Sequence, residues 1–176
     1  MDEITTARLR WRPPRPDDFD AYLQLVSDFE VVKWTASWPH PPDPELVRQR
    51  CRPVPSGQGF AGLVWRGERL VGAMGIIDAN IGFAFARAHW DKGFATEMAR
   101  AMIARAFLRH DWEAIEAGVF EGNGASRRVL EKLGFVAAGQ GLHECVAQGR
   151  SLPIGHFRLS RAAWLAANPL HIHGKA

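Results

Sequence analysis

The sequence has only two cysteines, one tyrosine and no long apolar run. Cys51 and Cys145 are far apart and fit no metal-binding spacing, so we expect reduced thiols and no bound metal. No segment approaches the roughly 20 apolar residues that a membrane-spanning helix needs. The opening residues, Met-Asp-Glu-Ile-Thr-Thr, are acidic and polar, unlike a signal peptide. These absences predict a cytoplasmic protein with no membrane segment.

The overall charge indicates no strongly charged macromolecular partner. The formal net charge is +3 and the isoelectric point is about 9.2. This balance is too mild to indicate nucleic-acid binding, and we expect none, but it is compatible with a small polyanionic ligand. The chain has 176 residues, 47% of them hydrophobic, which is enough to bury a core. We expect one domain over residues 1–168 and a polar tail over residues 169–176.

Hydrophobic periodicity and turn residues predict strands and helices in the order β, α, α, β, β, β, α, β, α, β, β. The middle strands form a meander that ends with a strand from Ile81 to Ala86. A helical pattern runs from Glu97 to Leu108, and another strand follows from Trp112 to Phe120. This order predicts a mixed sheet flanked by helices, with ligands bound where neighbouring strands diverge.

The segment from His89 to Thr96 connects the predicted strand to the long helix. Gly93 and Ala95 are small enough for a ligand to approach the backbone, and Lys92 adds a positive charge. The free N–H groups and the dipole at a helix N-terminus stabilise a bound anion, which indicates a phosphate site. A plain strand–helix connection accounts for this short motif equally well.

Three segments taken together resemble the GNAT superfamily of acyl-CoA-dependent N-acyltransferases. The segment from His89 to Glu97 is similar to the superfamily's pyrophosphate-binding turn. The segment from Asn123 to Ser126 is similar to the part that meets the pantetheine arm, and Val129 to Phe135 resembles a helix-to-strand signature. The opening from Thr5 to Asp18 resembles the branch that acetylates the N-terminal alanine of ribosomal proteins.

The resemblance implies a fold and a cosubstrate. The fold is a seven-stranded mixed sheet, mostly antiparallel, flanked by about four helices and splayed between Ile81–Ala86 and Trp112–Phe120. The cosubstrate is acetyl-CoA, with no metal. Backbone N–H groups of the turn would hold the pyrophosphate, and those near Phe85 would bind pantetheine and polarise the thioester carbonyl. Asn123 would bind the pantetheine arm or only cap a helix. The implied cofactor-binding residues are Phe85, Lys92, Gly93, Phe94, Ala95, Thr96, Asn123 and Ser126.

Two positions that serve proton transfer in many relatives depart from the family pattern. Leu130 stands where many relatives have a tyrosine that protonates the leaving thiolate, and the only tyrosine in this chain is Tyr22. The branch suggests Ser126 as the replacement, either as a hydrogen-bond donor to the thiolate or only as a helix cap. Asn80 stands where many relatives have a glutamate base.

Several groups are candidates for the base that accepts the amine proton. Glu144 comes first, since a carboxylate near this place serves the branch. His143 titrates near neutrality, and strand alternation places only one of these neighbours on the substrate side. Glu116, Glu121 and a chain of water molecules remain as alternatives.

The resemblance implies an acetyl-CoA-dependent N-acetyltransferase in which an amine attacks the thioester directly. We expect a protein or peptide N-terminal amine as acceptor, with a small-molecule amine as the alternative. The loop from Ser37 to Pro44 is rich in Pro and Trp and predicts an apolar wall. A non-catalytic acyl-CoA-binding module is a different class, favoured by Asn80 and Leu130. Frequent dimerisation in the branch gives weak support for a homodimer.

Overall fold

The computed structural model describes residues 3–55 and 57–169, so the predicted tail, apart from Pro169, lies outside the described residues. The strands are β1 (Ile4–Thr5), β2 (Arg10–Arg12), β3 (Gly59–Arg66), β4 (Arg69–Ile77), β5 (Asn80–Phe85), β6 (Ala114–Phe120), β7 (Val136–Cys145) and β8 (Arg150–Ser160). The helices are α1 (Phe19–Val26), α2 (Phe29–Val32), α3 (Pro44–Arg50), α4 (Phe94–Arg109), α5 (Gly124–Lys132) and α6 (Arg161–Ala167).

The strands form one sheet in the order β1-β2-β3-β4-β5-β6-β8-β7. Every neighbouring pair is antiparallel except β5 and β6, which run parallel. The predicted mixed, mostly antiparallel sheet is confirmed. The described residues add an eighth strand, β1, whose two residues pair with Arg10 and Trp11 but are too few to show an alternating pattern. Helix α2 is a single turn of four residues, which is too short to show a helical repeat, so the sequence did not predict it.

Strands β5 and β6 diverge, as predicted. One residue pair, Asn80 with Glu116, is in register between them. The Glu116 N–H donates to the Ala79 carbonyl at 2.8 Å. Beyond this pair the strands separate towards Phe85 and Phe120, which opens a gap in the middle of the sheet.

Apolar cores cover both faces of the sheet. Helices α4 and α5 pack on one face, where the predicted apolar positions Met98 and Met102 are fully buried beside Ile81 of β5. Helices α1 to α3 pack on the other face, where Val26 and Val47 lie against Leu63 of β3. The gap between β5 and β6 therefore lies between two separate helical layers.

A buried ion pair fixes the start of α1 on the sheet. The Arg12 guanidinium donates to both carboxylate oxygens of Asp18 at 2.7 Å, and the Arg15 N–H donates to the same carboxylate at 2.6 Å. Burial alone would raise the pKa of Asp18, but these hydrogen bonds and the charge of Arg12 outweigh it and hold the pKa below its usual value.

Arg161, the first residue of α6, closes the C-terminal end of α4. Its side chain donates to the carbonyls of Phe107 at 2.6 Å and Trp112 at 2.9 Å, and also to the His110 carbonyl. The last carbonyls of a helix have no intrahelical donor, so these contacts satisfy groups that would otherwise need water. They also tie the end of α4 to the segment that leads into β6.

Candidate active site

A cavity of about 790 Å³ passes through the gap between β5 and β6. On the side of α4 and α5 it is lined by Asn123, Ser126 and Leu130. On the side of α1 to α3 it is lined by Tyr22 and Arg50, among others. A ligand in this cavity would therefore be reachable from both faces of the sheet.

The backbone of β5 turns hydrogen-bond donors toward the gap. The Ala86 N–H donates to the Val71 carbonyl of the preceding segment at 3.0 Å. Since antiparallel pairing alternates, the N–H groups of Phe83 and Phe85 point the other way, toward β6. The Phe85 carbonyl accepts from the Trp90 indole N–H at 2.7 Å. The N–H of Phe85 therefore has no partner in β4 and faces the gap.

The turn before α4 has the geometry of an anion site. Asp91 and Gly93 have φ angles of 56° and 76°, in the left-handed region that suits glycine best. The first intrahelical bond, from Glu97 N–H to the Gly93 carbonyl, measures 3.0 Å. The preceding N–H groups of Phe94, Ala95 and Thr96 therefore have no partner within the helix. Lys92 is exposed and donates to the Ala88 carbonyl at 2.6 Å, so its ammonium supports the turn.

The surroundings of this turn are electropositive. Burial, followed by the nearby charges of Lys92, Arg69 and Arg66, lowers the pKa of His89. Glu97 is engaged by the first strands: it accepts from the Thr6 hydroxyl and from Arg8 Nε, both at 2.6 Å. Positive potential together with the dipole of a 16-residue helix favours a phosphate at this end of α4.

Helix α5 places its first turn on the cavity. The Asn123 carboxamide oxygen accepts the Ser126 N–H at 3.1 Å, so Asn123 does cap the helix. Its NH₂ group has no partner among the residues of the described ranges and remains available to a ligand. Ser126 is half-buried in the cavity wall. Leu130, at the place of the family tyrosine, is 1% exposed and packs in the core.

Strand β7 turns His143 toward the cavity and Glu144 away from it. His143 faces Leu152 in the register with β8, on the face that also carries Ile154 and His156. The pairing register with β8 shifts by one residue between Ala137 and Gly139. Each later side chain of β7 therefore points to the face opposite the one that unbroken alternation would give. Without this bulge, Glu144 would be on the cavity face.

The remaining carboxylate candidates are in different situations. Glu116 lines the cavity, but its carboxylate accepts from Arg158 at 2.9 Å. Glu121 is exposed after the end of β6 and is not among the described residues of the cavity wall.

The loop predicted to form an apolar wall contributes Ser37 and Trp38 to the cavity, but the sequence did not indicate that Tyr22 of α1 and Arg50 of α3 lie beside them. Tyr22 packs edge-on against Trp38, with ring centroids 5.2 Å apart. Burial raises the pKa of Tyr22 to about 12. Arg50 and His156 also line the cavity. The signals available were the single tyrosine and the Trp-rich loop, and neither indicates which face of the sheet these residues cover.

Neither a metal site nor a membrane helix appears in the described part of the chain. It contains no group of three or more His, Cys, Asp or Glu side chains able to hold a metal ion. No helix within it is long and apolar enough to cross a membrane.

Residues 8–136 match the family described as Acetyltransferase (GNAT) domain. Over 172 residues the chain is 30% identical to p20 of Bacillus licheniformis, described as an uncharacterized N-acetyltransferase, and the match covers 90% of this chain and 96% of p20.

Solved structures with a similar fold include two N-acetyltransferases. RimL, a ribosomal alpha-N-protein acetyltransferase in complex with coenzyme A, has a TM-score of 0.78 at 15% identity, covering 92% of this chain and 99% of that chain. Spermidine N-acetyltransferase from Vibrio cholerae, in complex with CoA and spermine, has a TM-score of 0.76 at 17% identity, covering 91% and 99%. At these identities both structures establish a likeness of fold alone.

Proposed function

Since the chain belongs to the GNAT family of acetyl-CoA-dependent N-acetyltransferases, we propose that it acetylates an α-amine. The N-terminal amine of a protein or peptide is the first candidate, and the amine of a small amino acid is the alternative. The observation that carries this proposal is the charge of the cavity. Glu116 is the one carboxylate among the described lining residues, and it is paired with Arg158. A polyamine would find no free counter-charge there.

The turn before α4 and the inner edge of β5 fit acetyl-CoA. The N–H groups of Phe94, Ala95 and Thr96 would bind the pyrophosphate, as the free donors at the start of a helix do. The N–H of Phe85 would polarise the thioester carbonyl and stabilise the developing oxyanion. The NH₂ of Asn123 would hold the pantetheine arm. These roles agree with the exposed left-handed turn at Gly93 and with the direction of the β5 donors.

An α-amine reduces the demand on the base. At a peptide N-terminus its unperturbed pKa is about 7.7–8.0, against about 10.4 for a lysine side chain, so a sizeable fraction is already neutral near pH 8. The neutral nitrogen attacks the thioester carbon, the C–S bond breaks, and the amine loses one proton. We assign the acceptance of that proton to His143, because its side chain is on the cavity wall while Glu144 faces the other way.

The departing sulfur leaves on the α5 side of the gap. Ser126 lines the cavity there, and its hydroxyl has no hydrogen-bond partner in the described residues. We assign it the hydrogen bond to the leaving thiolate. Leu130 has no polar atom to offer.

The function is tested by measuring thiol release from acetyl-CoA with three acceptors: N-terminal peptides, free amino acids and spermidine. We expect saturable transfer to α-amines, little transfer to spermidine, and thermal stabilisation by acetyl-CoA. Stabilisation without transfer to any amine would instead indicate an acyl-CoA-binding module. Faster transfer to spermidine than to α-amines would contradict the proposed acceptor.

The base is tested with neighbouring substitutions on β7. His143→Gln should lower kcat/KM by about 10²-fold, the lower end for a general base. The matched control Glu144→Gln should change it little, because that side chain faces away from the cavity. The opposite ranking would restore Glu144 as the base.

A further inference from the structure

Arg50, the last residue of α3, is a cation on the cavity wall without an acidic partner among the described residues. Its guanidinium stacks on the Trp38 ring at 3.9 Å from the ring centroid. Its Nη2 donates to the carbonyl of Ser37 at 3.2 Å and to the Ser37 hydroxyl at 3.0 Å. Its Nε and Nη1 have no partner within the described ranges, and the residue lines the cavity. Two of its three nitrogens therefore remain available to a ligand.

The surroundings of Arg50 favour an anion and hold the side chain in place. Burial lowers the pKa of Arg50, opposed by the neighbouring Tyr22, yet a guanidinium stays charged at any physiological pH. Trp38, against which it stacks, is itself held edge-on by Tyr22. A guanidinium fixed by stacking keeps its remaining donors in one plane, the arrangement that carboxylates accept best.

We propose that the amine acceptor of this enzyme also carries a carboxylate, which Arg50 binds. The proposal rests on the proposed N-acetyltransferase function and specifies its substrate class. The carboxylate could belong to a free amino acid or to an acidic side chain near the N-terminus of a peptide. Trp38 provides apolar surface beside Arg50, and Trp34 lines the same cavity, which suits an acceptor that joins the carboxylate to an aromatic or aliphatic group.

Arg50 also has a structural contact that the test must separate from substrate binding. By holding Ser37 it fixes the loop that carries Trp38. Loss of that contact alone would slow every acceptor. Loss of a carboxylate partner would slow only acceptors that carry one. The ratio of kcat/KM between matched acceptors distinguishes these two effects.

The experiment compares acceptors that differ in one carboxylate. Phenylalanine is paired with 2-phenylethylamine and with phenylalanine amide. The peptide amide Ala-Glu-Phe-NH₂ is paired with Ala-Gln-Phe-NH₂. In the wild-type protein we expect the carboxylate-bearing member of at least one pair to have the higher kcat/KM by about 10- to 100-fold, the range for a charge-assisted hydrogen bond. The pair that responds identifies the source of the carboxylate.

Variants connect this preference to Arg50. Arg50→Ala should remove it by raising the KM of the carboxylate-bearing acceptor, with the KM of acetyl-CoA unchanged. Arg50→Lys should keep part of the preference and serves as a conservative control for misfolding. Acetyl-CoA binding by each variant also shows whether it is folded. The control Arg48→Ala removes an exposed cation of the same helix that pairs with Glu45 at 3.4 Å and does not line the cavity. It should leave the preference intact.

The possible outcomes distinguish a failure of the Arg50 assignment from a failure of the proposed N-acetyltransferase function. Equal wild-type rates within all three pairs, or an equal loss on all acceptors in Arg50→Ala, would overturn the role of Arg50 while leaving the acetyltransferase function intact. If acetyl-CoA binds and no amine is acetylated, the proposed function fails, and the acceptor assignment fails with it.

Discussion

The ion pair between Arg12 and Asp18 gives the sharpest prediction about stability. Both side chains are nearly inaccessible, with 9% and 6% exposed, and Asp18 accepts three hydrogen bonds of 2.6–2.7 Å. Asp18→Asn would leave the Arg12 charge buried without a counter-ion. Breaking a buried pair from one side costs about 3–5 kcal/mol. We expect about 3 kcal/mol here, since Arg12 would keep its bond to the Pro13 carbonyl and its stacking on Trp65.

The loss should be seen in both chemical and thermal unfolding. Urea titration followed by circular dichroism gives the change in the free energy of unfolding, and the melting temperature should fall by about 6–12 °C for a chain of this size. Arg12→Met and the double variant complete a cycle, in which the double substitution should cost less than the sum of the two single ones. Because the pair fixes α1, which carries Tyr22 into the cavity wall, the KM of the acceptor should also rise in Asp18→Asn.

The pH dependence of this pair has a definite sign. The pKa of Asp18 is lower in the folded protein than in the unfolded chain, where it is about 3.9. Its stabilisation is therefore fully present above that value and is lost as the pH falls through the folded pKa. The stability difference between wild type and Asp18→Asn should stay constant at neutral pH and shrink below about pH 4. A difference under about 1 kcal/mol at pH 7, or one that grows in acid, would refute this reasoning.

Three further substitutions test the site and the fold. Ser126→Ala should lower kcat by about 3- to 10-fold, since one hydrogen bond from a neutral hydroxyl is worth about 1 kcal/mol. Steady-state thiol release measures this, and the KM of acetyl-CoA should be unchanged. An unchanged kcat would mean that Ser126 only forms part of the helix start. Gly82→Leu should raise the KM of the acceptor at an unchanged melting temperature, because a Cβ at Gly82 meets nothing within 4 Å and the side chain would extend into the cavity. Arg161→Ala should lower the free energy of unfolding by about 2 kcal/mol with little effect on kcat, because it leaves the carbonyls of Phe107 in α4 and of His110 and Trp112 just after it without their donor.

The parts of the fold that follow from local pattern were predictable. The apolar face of α4 repeats every three to four residues, and this spacing alone predicts that Met98 and Met102 lie in the core, where both are fully buried. The splay between β5 and β6 was expected from the order of the elements and from the resemblance to the GNAT superfamily. The helical repeat depends on neighbours in sequence, which a single chain displays.

The residues that line the acceptor side of the cavity could not be predicted. They depend on which face of β7 each side chain points to and on contacts between residues that are distant in sequence. Which of His143 and Glu144 faces the cavity is decided by one extra residue in β7, between Ala137 and Gly139. No alternation pattern in this exposed strand reveals the bulge, since nearly every residue of β7 is exposed on both faces. Similarly, Tyr22 and Arg50 come from two different helices, and only packing brings them to one wall.

The absence of a tyrosine acid is compatible with the proposed chemistry because the leaving group needs little help. The cysteine thiol has a pKa of about 8.5, which shows that a thiolate is a stable enough leaving group to depart before it is protonated. Leu130 contributes to the fold instead, since it is 1% exposed in the core shared with α4. Ser126 on the thiol side is a weak acid, and a peptide α-amine on the other side has a low pKa. Neither proton transfer therefore requires a strongly perturbed group. The selectivity of the enzyme then depends on the cavity wall that carries Arg50.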